Sequence, residues 1–381
     1  MKVEIDLIKA RAFDLGFSFI GFTDAEQTPH FDQYEKWLQK DLYGSLDFLN
    51  KEYVVNARRN PASTLKGARS VIVLGVNYGA PSTNNRNIPD QNGIISRFAL
   101  YEDYHRIIRS KAEELIGELS TDLSTDIRYK IFIDSGPLME KDFAFKAGLG
   151  WIGKHSLFIH PSLGSYVFLC CIMLNVPINT NFLPAEDLCG DCQACIHACP
   201  TGCIDKNDHS INITQCISYL TIEHNGIIPR EMRLKIGNHI YGCDVCQEVC
   251  PLNGTIQLSR TQHFFGLDKI IPREIGISHA LQISQHEFRT NFKGSVISSI
   301  SFEKYLSNII IAAGNSQKTS FINPLKGLLG HPLATIRVHA IWALNQIDTA
   351  YCQSILGSLL KGENNADVLD EISHIRDSEN S

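Results

Sequence analysis

The 381-residue sequence has no apolar run long enough to cross a bilayer. Its longest, Tyr166–Val176 (YVFLCCIMLNV), is about half the roughly 20 residues a spanning helix needs and reads instead as a buried strand. The opening MKVEIDLIKARAFDLGF lacks a cationic start, an unbroken apolar stretch and a twin-arginine pair, so a cytoplasmic rather than exported protein is expected, with no membrane partner. G-x-x-x-x-G-K-[ST] occurs nowhere, which removes the usual phosphate-cradling loop and any visible site for ATP-driven chemistry. Proline is scarce at 14 residues, and with 44% hydrophobic and 20% charged residues the composition excludes a disordered or collagen-like chain. The length suits two or three packed domains.

Excess charge of one sign is also small. The net charge is −6, and residues 361–381 alone hold six acids against two bases, so the body is close to neutral. A polyanionic partner would have to be met by local patches, either Arg58, Arg59, Lys66 and Arg69 or Arg230, Arg233 and Lys235. The simpler reading of each patch, and the one composition favours, is a solvated face.

What the sequence does have is cysteine, 12 in all. In a reducing compartment these point to metal ligation or catalysis before disulfides. Residues 189–200, CGDCQACIHACP, place Cys189, Cys192, Cys195 and Cys199 in the C-x2-C-x2-C-x3-C-P order of bacterial 4Fe-4S ferredoxins. Residues 243–251, CDVCQEVCP, repeat the theme with Cys243, Cys246 and Cys250. Zinc sites favour two C-x2-C pairs and fit this run poorly. Two cubanes need about eight thiolates, one more than the two motifs supply. Cys216, between the motifs in TQCISYLTIEH, is the best eighth ligand; Cys203, in the turn PTGCI, competes with it, whereas Cys170 and Cys171 fall in the apolar strand and Cys352 far downstream. In two-cluster ferredoxins the last cysteine of each run crosses to the other cluster. That rule assigns Cys189, Cys192, Cys195 and Cys250 to one cubane and Cys199, Cys216, Cys243 and Cys246 to the other. Such a module relays single electrons, and the flanks must supply the chemistry.

The first flank alternates patterns: an amphipathic start, SFIGFT, ARSVIVLGVNY, a helix over 103–119, then RYKIFID and SYVFLCCIMLNV as strands. This predicts an α/β or α+β domain with a sheet core. GLGWIG (Gly148, Gly150, Gly153) matches the dinucleotide fingerprint. It nevertheless follows a helical stretch and lacks a downstream acid, so it reads as a glycine-rich turn that lets backbone approach a flat ligand. Asp134 closes RYKIFID just before SGP, at a strand end where sheet domains gather their sites. It serves either as a general acid or as a turn-initiating aspartate bonded to the backbone that follows. In the second flank, KYLSNIIIAAGN, TIRVHAIWALNQI and DVLDEISHI recur at about 31 residues, as paired helices of a HEAT-like solenoid or as an ordinary bundle.

Taken together, IDSGPLMEKDFAFKAGLGWIGKHSLFIHPSLGSYVFL, the ferredoxin run, QCISYLTIEH and KIGNHIYGCDVCQEVCPLN resemble the epoxyqueuosine reductase family from near the start to about residue 255. The resemblance implies reduction of the epoxide of epoxyqueuosine, at the wobble position of tRNA, to the alkene of queuosine, using cobalamin and two 4Fe-4S clusters. It further implies Asp134 as proton donor beside the corrin, and Arg58, Ser96, His155, Ser218 and Asp244 as corrin contacts, although His155 also reads as an ordinary hydrogen-bonded loop histidine. No D-x-H-x-x-G motif is present; Asp103-x-His105 is more simply a surface pair. The tail is expected to dock tRNA, with Arg230, Arg233 and Lys235 as the preferred phosphate contacts.

The expected architecture is therefore α+β: an N-terminal α/β sheet domain binding cobalamin (1–180), a bacterial-type two-cluster ferredoxin domain (181–258) and C-terminal HEAT-like α-helical repeats (259–381). A monomer drawing electrons from an external flavodoxin- or ferredoxin-type donor is expected. The alternatives are a corrinoid reductive dehalogenase, whose usual twin-arginine signal is missing, and a non-enzymatic ferredoxin-type carrier, which would leave most of the chain idle.

Overall fold

The computed structural model describes residues 5–79, 89–123, 127–178, 185–253, 264–265 and 270–377. They form two compact units that interleave along the chain. The first draws on Met1–Thr83, Tyr101–Ile213 and Asp244–Ile270, the second on Asn84–Leu100, Thr214–Cys243 and Ile271–Ser381. These units cut across the three consecutive segments read from the sequence.

The first unit is built on a four-stranded sheet. Strands are numbered in chain order; β1 (Phe19–Asp24), β2 (Ser70–Asn77), β7 (Val167–Leu174) and β4 (Tyr129–Phe132) lie in the order β1-β2-β7-β4. Each pairing is antiparallel, with Val73 opposite Cys171 and Phe132 opposite Cys171 on the other side. The sheet therefore follows the α+β reading and not the parallel α/β one. Every residue of β2 is buried, so both faces of this strand are covered. This explains why it and β7 read as continuous apolar runs rather than as an alternation.

Helix Glu140–Lys146 packs on β1, β2 and β7. Its Phe143 and Ala144, both 0% exposed, join Val71, Val73, Phe132 and Met173 in one core. Burying a side chain the size of Phe143 contributes about 2–3 kcal/mol. The helix start is thereby fixed directly beside the turn that leaves β4. Cys170 and Cys171 lie inside β7, where burial pushes both thiols up, away from thiolate character.

The second unit carries a small sheet, β8 (His239–Tyr241), β3 (Asn92–Ile95) and β9 (Glu274–Gly276), in which β3 is parallel to β8 and antiparallel to β9. Its helices Phe302–Ser316, Ala334–Ile347 and Ala366–Asp377 begin at a regular spacing, and the middle one packs on both others. Ser301 caps the first of them by accepting from Lys304 N at 3.1 Å. No helix among the described residues is long and apolar enough to cross a membrane.

Candidate active site

Asp134 lies two residues beyond β4, with φ +56°, in the left-handed region that aspartate tolerates better than most residues. Ser135 N–H donates to Ile133 O at 2.6 Å, so Asp134 is the centre of a tight three-residue turn. The carboxylate does not bond the backbone that follows, as a turn-initiating aspartate would. It points out, exposed, and accepts from Tyr104 Oη at 2.7 Å. Tyr104 is 5% exposed and stacks on Phe168 at 3.8 Å between centroids, which in turn stacks on Tyr78 at 4.2 Å. Burial and the charge of Asp134 push the Tyr104 hydroxyl far up, so it remains a donor.

Glu140 and Lys141 stand close enough to Asp134 to share its field. Burial pushes Glu140 up to about 7, with Asp134 adding to the rise. Its Oε1 is buried without a partner. Lys141 is exposed, and the protein around its ammonium pulls it down by desolvation. Its Nζ donates to Ser156 O at 2.7 Å. These two residues, and Tyr104, escaped the sequence reading; the signal for Glu140 and Lys141 was their position opening a helix directly after SGP.

The residues named as corrin contacts divide. Arg58 donates from Nε to Pro137 O at 3.3 Å and lies over the Tyr34 ring at 4.3 Å, so it braces the loop carrying Asp134. His155 is 2% exposed; its Nδ1 accepts from Leu157 N at 3.2 Å, which leaves the proton on Nε2, and Nε2 has no partner. Burial, with Lys141 nearby, holds His155 down at about 4, so the ring is neutral. Asp244 is buried and, with burial itself, keeps the nearby Tyr78 hydroxyl protonated. Ser96 (2% exposed) and the half-buried Ser218 belong to the second unit. His105 pairs locally, Nδ1 to Asp103 Oδ1 at 2.8 Å, as a surface pair does.

Short helices Ala194–Ala198 and Val245–Glu248, one within each cysteine run, pack on each other. The thiols assigned to one cubane lie near enough for their charges to interact, although among the described residues no three ligating side chains stand grouped as a metal site. Burial raises Cys195, with Cys189 and Cys250 adding to the rise, and burial raises Cys250, with Cys189 and Cys192 adding. Cys199 Sγ meets Cys203 Sγ and Thr201 Oγ1, each at 3.5 Å, and these contacts pull Cys199 down to about 4. Cys216 precedes helix Ile217–Ile222, and Cys243 Sγ lies 3.9 Å from His239 Nε2, both in the second unit; Cys199 and Cys246 are in the first. GLGWIG follows helix Glu140–Lys146 and opens β5 (Trp151–Ile152), paired with β6 (Phe158–Ile159), so it is no dinucleotide loop. A Cβ at Gly150 would stand 2.0 Å from Ile159 O, so only glycine permits this approach.

The basic stretch on helix Arg230–Ile236 needs correction. Arg233 is 1% exposed, donating to Glu371 Oε1 at 2.9 Å and to Ile228 O at 2.8 Å, so burial and pairing withdraw it from phosphate. Arg230 bridges Asp370 and Glu371. Lys235 alone of the three is fully at the surface.

The family model described as "Epoxyqueuosine reductase QueG, DUF1730" matches residues 58–135, and the 4Fe-4S double cluster binding domain model matches residues 188–253. Epoxyqueuosine reductase of Aliivibrio fischeri is 36% identical over 345 residues, 89% of this chain and 90% of that protein. A crystal structure of epoxyqueuosine reductase with an epoxyqueuosine-modified tRNA-Tyr stem loop is 30% identical, with a TM-score of 0.86 and 97% of each chain covered. The Bacillus subtilis enzyme, solved with its catalytic aspartate loop swung out of the active site, is 29% identical with the same TM-score and coverage. On this likeness in sequence and fold along nearly its whole length, the chain belongs to the epoxyqueuosine reductase family.

Proposed function

We propose that this chain reduces the epoxide of epoxyqueuosine, in the wobble nucleoside of a tRNA, to the alkene of queuosine, with electrons relayed by two 4Fe-4S clusters to cobalamin. The relatives carry the activity in their names, and one was solved with the modified stem loop. The observation that carries the reading here is Asp134: an exposed carboxyl group at the centre of a left-handed turn, oriented by the Tyr104 hydroxyl. Non-glycine residues held in such turns cluster at functional sites.

Epoxide to alkene takes two electrons and two protons and releases the oxygen as water. Asp134 in its protonated form gives the proton to the departing oxygen. Tyr104 holds its Oδ2, and Arg58, through Pro137 O, holds the loop. The charge of Lys141 reaches Asp134, so it would favour negative charge developing on an oxygen beside that carboxyl group. Cys189, Cys192, Cys195 and Cys250 would hold one 4Fe-4S cluster and Cys199, Cys216, Cys243 and Cys246 the other, which would supply single-electron transfer from a flavodoxin- or ferredoxin-type donor.

Cobalamin, when bound, supplies a cobalt centre whose reduced form attacks carbon. The first unit fits such a polar-rimmed ligand: His155 Nε2 and Glu140 Oε1 are buried polar atoms without a partner. Arg58, His155 and Asp244 are the first-unit residues that would hold it; Ser96 and Ser218 are contacts implied by the family. The helices at 302, 334 and 366 serve as the HEAT-like scaffold for tRNA, with Lys235 at its surface.

Anaerobic incubation with cobalamin, a strong reductant and epoxyqueuosine-containing tRNA, followed by nucleoside mass analysis, tests the reading. Queuosine should appear with the unaltered protein; an unchanged epoxide with both clusters and cobalamin bound would overturn it.

A further inference from the structure

The segment Trp151–Lys154 holds two side chains that the reaction scheme leaves unused, and both reach the first cysteine run. Trp151 is 1% exposed, among the largest fully buried side chains of the chain. Its Nε1–H donates to Cys189 Sγ at 3.4 Å. Three residues on, Lys154 Nζ donates to Gly190 O at 2.6 Å. The backbone of Trp151 is held by its pairing with Ile159 in the β5–β6 hairpin that Gly150 lets close, and burial confines the indole.

An indole N–H is a donor only, and a buried one is matched to an acceptor. A neutral thiol is a weak acceptor, whereas a thiolate carrying cluster charge accepts a charge-assisted bond. The donor set thus suits a ligated Cys189 better than a free one. Reducing a cluster adds negative charge to its sulfurs, and a fixed N–H donor stabilises the reduced form more than the oxidised one. An ammonium held one residue away acts with the same sign.

The geometry points to Trp151 as a positioning residue that raises the reduction potential of the 4Fe-4S cluster held at Cys189, with Lys154 as a lesser contributor. This rests on the assignment of Cys189, Cys192, Cys195 and Cys250 to one cluster. Trp151 thereby makes that cluster easier to reduce from outside than its ligand set alone would.

Trp151→Phe and Lys154→Met, reconstituted anaerobically, are to be compared with the unaltered protein by iron content and EPR-monitored redox titration. The Phe variant should keep both clusters while one of the two potentials becomes more negative and the other stays. The Met variant should move the same potential less. Should Phe cost a cluster, 3-benzothienylalanine at position 151 keeps the ring shape and removes the N–H, and the same shift is expected. Full clusters with both potentials unmoved would overturn the inference alone. Failure of the unaltered protein to hold a cluster at Cys189 would remove the assignment beneath it, and the inference with it.

Discussion

Tyr104 and Asp134 are 30 residues apart in sequence and joined by a hydrogen bond of 2.7 Å, which fastens the first turn of helix Tyr104–Leu123 to the loop leaving β4. The phenol is stacked and buried, so it sets where the carboxyl group points.

Asp134→Asn keeps size and much of the hydrogen bonding but removes the transferable proton. Epoxide reduction should fall by about a hundredfold or more with iron and cobalamin content unchanged. Loss of cobalamin together with activity would mean that Asp134 organises the turn instead.

Tyr104→Phe removes one bond worth about 1 kcal/mol and leaves the acid in place. Turnover should drop by roughly fivefold to tenfold while KM for a minimal stem loop holds, since the misplacement acts on the proton-transfer step. An equal rise in KM would assign Tyr104 to substrate binding.

Changing Cys216 to Ala should halve the iron of reconstituted protein, from about eight atoms to about four. Changing Cys203 to Ala should leave about eight, although its sulfur touches Cys199. The opposite outcome would exchange the two residues.

Lys235→Ala should reduce the slope of log affinity for tRNA against log salt by about one, without moving Tm. Arg233→Met should do the reverse. It leaves the buried Glu371 with half its partners and should destabilise the chain by about 3 kcal/mol, with the salt slope unchanged.

Glu140 has its folded value raised by burial from 4.5 to about 7. A group raised in this way contributes most below its unfolded value, and the contribution is lost as pH rises toward the folded one. Relative to Glu140→Gln, the unaltered protein should therefore lose stability between about pH 4.5 and 7, by at most about 3 kcal/mol. Urea midpoints across that range check this; parallel curves would show that Glu140 is solvated.

Several of these features are legible in the order of residues itself. The cysteine spacing states its own chemistry, and β2 and β7 announce themselves as unbroken apolar runs because both are interior. Asp134 stands out as the polar end of such a run. The direction of strand pairing is not legible, since a run buried on both sides looks the same beside a parallel or an antiparallel neighbour. Nor is the fate of the basic helix. Arg233 finds Glu371 138 residues later, so the acidic tail that looks like a barrier to RNA is in part the counter-charge of the patch expected to bind it. Local pattern carries no record of such pairings, and Tyr104 is hidden for the same reason.

The small sheet of the second unit joins β3 to β8 and β9, strands that follow it by roughly 145 and 180 positions in translation. Until residue 241 has been made β3 has neither sheet neighbour, and until residue 276 one of its amide edges stays unmatched, a template for other chains. A fragment cut at residue 180 would carry that sticky strand permanently. Nascent chains thus depend on late arrivals, and fragments cut at the apparent sequence boundaries should precipitate where the whole protein stays dissolved.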